Sequence, residues 1–110
     1  MRADAVKGHL DSILLASLEA QPLHGYAIME AVRAGSRASF DLPTGTVYPA
    51  LHRLERAGLI RSKWSTVSGR RRRTYELTER GRRRLGEERR SWKQFSRAVS
   101  TLLGAPAGTL

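Results

Sequence analysis

The chain has 110 residues, 40% of them hydrophobic and 27% charged, which makes one ordinary domain with enough apolar material for a core. It contains no cysteine, so disulfide scaffolds, thiol chemistry and cysteine-based zinc sites are excluded. Its net charge of +10 is confined to the stretch from Arg61 to Arg97, where 14 basic residues meet 4 acidic ones, and so localised an excess points to a polyanion, nucleic acid before a membrane.

Leu10, Ile13, Leu14, Leu15 and Leu18 recur at helical spacing and form one apolar face, which Gln21-Pro22 is expected to end. The run is far shorter than the roughly 20 residues that span a bilayer. No basic stretch leads into an apolar core at the amino terminus, so no secretory signal is expected and a cytoplasmic location follows. A second helical pattern begins near His24 or Gly25, carries Tyr26, Ile28, Met29 and Val32, and fades at Gly35-Ser36. Asp41 to Thr46 reads as a turn into a third helix, with Thr44 or Thr46 as cap. With Thr46 as the cap, Pro49 falls in the first turn, where its missing N–H matters little. Val47, Ala50, Leu51 and Leu54 then face inward, and Ala57-Gly58 closes the helix.

The period then changes from helical to alternating. Ile60, Ser62, Trp64 and Thr66 alternate with Arg61, Lys63, Ser65 and Val67; beyond Ser68-Gly69, Arg71, Arg73, Tyr75 and Leu77 alternate with Arg72, Thr74, Glu76 and Thr78. This is a β-hairpin with glycine at its tip. Thr78 is placed to cap a last helix running to about Leu103, before Gly104 and Pro106. The expected fold class is mainly α (α+β): a winged helix-turn-helix with a two-stranded β-wing and a long C-terminal dimerisation helix. Residues 1–78 would form the winged unit, 79–104 the helix packed into the same compact body, and 105–110 a disordered tail.

Pro22-Leu23-His24-Gly25-Tyr26, Gly45-Thr46-Val47-Tyr48-Pro49-Ala50-Leu51, Leu54-Glu55-Arg56-Ala57-Gly58-Leu59-Ile60, Gly69 to Arg73 and Tyr75-Glu76-Leu77-Thr78-Glu79-Arg80-Gly81 follow one another in the order and spacing of a known family. On these blocks the chain resembles the PadR family of bacterial transcriptional regulators, in its short branch with a single helix after the wing. The resemblance implies a homodimeric winged-helix regulator, usually a repressor of a neighbouring gene. The unbroken Arg70-Arg71-Arg72-Arg73 departs from the family, which commonly mixes proline, glycine or lysine into the wing.

A major groove admits a helix whose first turns meet the base edges. The non-core positions offered by the third helix are Thr44, Thr46, Tyr48, His52 and Arg53, with apolar contact from Pro49 and an unshielded backbone at Gly45 for phosphate. With no asparagine in the chain, the common pairing of that residue with adenine is closed, and Arg53 is the candidate for guanine or phosphate. At the wing, Arg70, Arg71 and Arg72 are expected near the DNA backbone or a narrow minor groove. Strand alternation turns Arg71 and Arg73 to the face of Tyr75 and sends Arg70 and Arg72 the other way. Arg82, Arg83 and Arg84 sit where the helix dipole disfavours cations, which calls for a nearby anion or for partners such as Glu79.

Leu85, Trp92 and Val99, with Phe95 and Leu102 between them, make a sparse heptad seam suited to a helix of a second copy; Leu10 and Leu14 of the first helix complete the expected dimer contact. Trp92 and Phe95 have a second reading. Some proteins of the resembling family bind flat aromatic molecules between dimer-related helices, and this pair would line such an effector pocket. His9, His24 and His52 are not spaced as metal ligands, and no phosphate-binding glycine motif or nucleophile elbow occurs, so neither metal, cofactor nor catalysis is expected. The reading is a sequence-specific, double-stranded-DNA-binding homodimer, a ligand-responsive repressor on a near-palindromic operator. The alternatives are a non-specific nucleic-acid binder and a small-molecule-binding protein with an incidental basic surface.

Overall fold

The structure is a computed structural model, and it describes residues 8–104. The tail expected at 105–110 lies outside the described residues. In chain order the elements are α1 (Leu10–Ser17), β1 (Leu23–His24), α2 (Gly25–Gly35), α3 (Thr44–Arg56), β2 (Ile60–Val67), β3 (Arg70–Leu77) and α4 (Glu79–Leu103). Leu14, Leu15 and Leu18 meet Ile28 and Val32 of α2 and Val47, Ala50, Leu51 and Leu54 of α3; Ile60, Tyr75, Leu77 and Leu85 close this core from the sheet and from α4. Every inward position that periodicity assigned to α3 is buried.

α1 stops at Ser17, short of Gln21-Pro22. The Ser17 hydroxyl donates to the Leu14 carbonyl at 2.6 Å, and the Leu18 N–H turns to Leu15 instead. A local side-chain bond has replaced the next helical one. α3 starts earlier than a Thr46 cap allows: Thr44 is its first residue and Pro43, in extended conformation, precedes it without a side-chain cap. Pro49 therefore stands inside the helix, beyond the first turn, opposite the carbonyl of the exposed Gly45.

The wing is part of a three-stranded sheet, in the order β1-β3-β2, where two strands were expected. Leu23 and His24 pair with Tyr75 and Thr74. Two residues are too few to show alternation, yet they tie the entrance of α2 to the wing. β2 and β3 stay in regular register from Ile60↔Leu77 to Val67↔Arg70. Ser68 and Gly69 turn the chain with positive φ values of 51° and 78°, the geometry of a two-residue hairpin.

Thr78 accepts a bond from the Gly81 N–H at 3.0 Å, the expected cap of α4, and donates its own hydroxyl to the Gly58 carbonyl at 2.7 Å. Gly81 is required there. A Cβ on it would lie 2.0 Å from the Leu59 carbonyl oxygen, so only glycine lets α4 start against the end of α3.

Candidate nucleic-acid interface

Thr44, Gly45, Tyr48, Pro49, His52 and Arg53 are exposed on α3, Thr46 is half-buried, and Arg56 extends the exposed face beyond them. With Pro43 supplying no side-chain cap, the Thr44 and Gly45 N–H groups at the start of the helix are open to an anion, while the Thr46 N–H already donates to the Pro43 carbonyl at 3.0 Å. Tyr48 is not a free side chain: a Cβ on Gly25 would lie 2.5 Å from its hydroxyl and 2.7 Å from its ring. The ring lies across the first residue of α2, which fixes its direction while leaving 45% of the residue exposed. Arg53 forms an ion pair with Asp11 of α1, so the structure turns it to the α1 side of the recognition face.

The wing is bolted to α3 through Glu55. Its Oε2 accepts from the Ser62 N–H at 3.0 Å and the Ser62 hydroxyl at 2.6 Å, and its Oε1 receives Arg73 at 3.3 Å. Arg73 also donates from Nε to the Ser62 hydroxyl at 2.8 Å. Above this knot, Arg73 and Arg71 both stand over the Trp64 indole, at 5.7 and 5.0 Å from its centre. Alternation had put Arg71 and Arg73 on the Tyr75 face; the joining of Arg73 to Glu55 depends on how α3 packs on the sheet, which sequence spacing does not carry.

Arg72 takes the opposite face, half-buried beside His24, and the regular register keeps it there. Burial, and then the Arg72 charge, hold the His24 imidazole below its usual range, in the neutral form. On the same outer face Arg61 donates to Glu76 at 2.7 Å, which lowers the Glu76 carboxyl. Among the described residues, Arg70, Arg71 and Arg72 have no carboxylate partner, whereas Arg53, Arg61, Arg73, Arg84 and Arg89 each have one.

Arg82 and Arg84 in the opening turns of α4 find partners other than Glu79. Arg84 donates to Glu88 at 3.0 Å, one turn along, and Glu88 also accepts from Ser12 of α1 at 2.9 Å; both bonds lower its carboxyl, Arg84 most. Arg82 reaches the Glu19 carbonyl at 3.5 Å, and Arg89 takes the Glu19 carboxylate with two bonds of 2.6 Å.

Of the residues expected to meet a second copy, Leu14 and Leu85 lie in the chain's own core, and Leu10 and Val99 are half-buried. The α1 and α4 faces that carry Leu14 and Leu85 pack on each other within one chain, which corrects their assignment. Trp92, Phe95 and Leu102 are exposed, the last at 86%. Trp92 packs on Phe95, centres 5.9 Å apart, and meets the His9 ring edge-on at 5.3 Å. Among the described residues no cluster of three or more His, Cys, Asp or Glu is placed to hold a metal, and no helix is long and apolar enough to cross a membrane.

Three helices on a small antiparallel sheet, with a basic hairpin fastened beside the third helix, define a winged helix-turn-helix of DNA-binding regulators. The chain belongs to the PadR-like family of transcriptional regulators, whose model matches residues 14–87. It is 45% identical over 64 residues to the transcriptional regulator Rv3488 of Mycobacterium tuberculosis, covering 58% of this chain and 60% of that one. A PadR family transcription regulator from Clostridium difficile has the same fold, with a TM-score of 0.78 and 33% identity over 87% of this chain and 99% of that one. A PadR-like transcriptional regulator from Bacillus cereus superposes with a TM-score of 0.81 at 26% identity, over 94% of this chain and all 100% of the other. The class of function is DNA-binding transcriptional regulation, and the chain is not an enzyme.

Proposed function

We propose that the chain works as a homodimeric, ligand-responsive repressor that reads a near-palindromic operator. In this reading Thr44, Gly45, Thr46, Tyr48, Pro49, His52 and Arg53 of α3 enter the major groove, and Arg70, Arg71 and Arg72 straddle the adjoining backbone from the wing. The observation that carries it is the uncompensated charge of those three arginines, at the end of a hairpin fastened to α3 through Glu55. Cations without carboxylate partners, Arg70 and Arg71 exposed and Arg72 half-buried, are ready to neutralise phosphates, and the fastening sets their place relative to the helix. Trp92, Phe95 and Leu102 support a second copy meeting α4, because a soluble chain hides such a patch. The tilted Trp92–Phe95 pair also suits a flat aromatic effector at the same junction.

The test is fluorescence anisotropy with duplexes from the region upstream of the gene, each compared with a scrambled sequence over a salt series. A repressor prefers its operator by about 10³ or more over random duplex. Equal affinity for both, with a steep salt dependence, would establish the non-specific binder instead. Replacing Arg70, Arg71 and Arg72 by Ala weakens all duplexes and flattens the salt slope. Quenching of Trp92 emission by planar aromatics, in a Trp64→Phe background, tests the effector.

A further inference from the structure

Trp64 is 56% exposed on β2, whereas Ile60 of the same strand and its neighbour across the hairpin, Leu77, are buried. It adds little to the core, and it is not bare: the Arg73 and Arg71 guanidinium groups stand over its ring at 5.7 and 5.0 Å. The two cations differ. Arg73 is balanced by Glu55 and bonded to Ser62, so it is anchored to α3. Arg71 has no carboxylate among the described residues, and the indole is what holds it. The result is a ladder of carboxylate, guanidinium, indole and guanidinium that runs from the recognition helix to one uncompensated charge.

We propose that Trp64 is a positioning residue for DNA, holding Arg71 against a backbone phosphate and resting its own exposed edge on the neighbouring deoxyribose. This rests on the DNA-binding reading above. An arginine already laid on an aromatic face loses less side-chain freedom when it meets a phosphate than one free in solvent. The stack also keeps Arg71 and Arg73 close without a second carboxylate, which would compete with phosphate.

The experiment compares the wild-type chain with Trp64→Leu, Arg71→Ala and the double variant on random and operator duplexes across a salt series. Trp64→Leu is expected to weaken every duplex by about two- to five-fold, the scale of an exposed cation–π contact. The salt slope falls by about one in Arg71→Ala, where the cation is removed, and by less in Trp64→Leu, where it stays but is no longer held. The double variant loses less than the product of the two single losses, because part of the Trp64 contribution acts through Arg71. Unchanged affinity or salt slope in Trp64→Leu, or losses that multiply in the double variant, overturns the proposal while leaving DNA binding intact. A wild-type chain that ignores every duplex removes the DNA-binding reading first. Iodide quenching of Trp64 in a Trp92→Phe background needs no change in the wing: bound duplex must shield the indole, and an unshielded indole overturns the contact.

Discussion

Gly25 is buried because the Tyr48 ring occupies the place its side chain would take. Gly25→Ala is therefore expected to push Tyr48 off its seat and to destabilise the fold by about 1–3 kcal/mol, the usual scale of overpacking. A urea melt checks the stability; operator affinity should fall further than random-duplex affinity if, as proposed, the displaced ring faces the major groove. Arg53 poses the opposite case. Asp11 neutralises it in the free chain, so a phosphate or guanine must displace a carboxylate to reach it. Both partners are well exposed, and such a pair is worth under about 1 kcal/mol to the fold. Asp11→Asn should thus leave the melting temperature nearly unchanged while tightening DNA binding; unaltered affinity would remove Arg53 from the interface. His24 sets a pH dependence. The fold favours its neutral form, so its contribution to stability is complete above the ordinary value of 6.5 and is lost as pH falls through the lower folded value. The carboxyls of Glu19, Glu76 and Glu88 are held below 4.5, and their contributions disappear only in more acid solution. Thermal melts between pH 7.5 and 5 should show a decline that His24→Gln abolishes.

The joint between α3 and α4 rests on two side-chain facts, the Thr78 cap and the absence of a Cβ on Gly81. Thr78→Ala removes the acceptor for the Gly81 N–H and the donor to the Gly58 carbonyl, and should cost about 1–2 kcal/mol in a denaturant melt. Gly81→Ala should cost more, because the clash is with backbone that cannot turn aside. Thr78 was legible in the sequence, since a capping residue stands at the break between strand and helix periods. The inward faces of the first three helices were legible for the same reason: burial repeats with the helix. The start of α3 was not. Thr44 and Thr46 are equally good caps on paper, and the structure uses neither, beginning the helix after the extended Pro43. β1 left no periodic trace in two residues, and the Glu55–Ser62–Arg73 knot joins residues that only packing brings together. The arginines opening α4 illustrate the same limit: local spacing suggested Glu79, whereas Glu88 and the distant Glu19 are the groups met.

At the scale of the whole molecule, the outer half of α4 carries an apolar seam that the described residues leave exposed. Its 25 residues extend about 37 Å at the helical rise; Leu85 near its beginning is sunk in the core, and beyond it one face is covered at Ser96 and Ser100. Farther along, Trp92, Phe95 and Leu102 are bare, in a chain 54 Å long and 28 by 21 Å across. An apolar seam on an arm is a price a monomer has no reason to bear, and a two-fold partner laid along it covers both copies at once. Such a pair carries two copies of α3, and a spacing near 34 Å would let them read successive turns of one groove face. Leu14 and Leu85 cannot test this, since their loss would open the core. Phe95→Glu and Leu102→Glu can, because both positions are exposed in the single chain and a charge there leaves the fold alone. The expected outcome is a chain that sediments as a monomer with an unchanged circular dichroism spectrum. Its operator affinity should fall by about 10²-fold or more, as the second half-site is no longer delivered by the first. Random-duplex affinity per chain should fall far less, since Arg70, Arg71 and Arg72 remain in place. A doubly charged variant that still sediments as a dimer would rule out the proposed interface on α4, and with it the proposed aromatic effector site at Trp92.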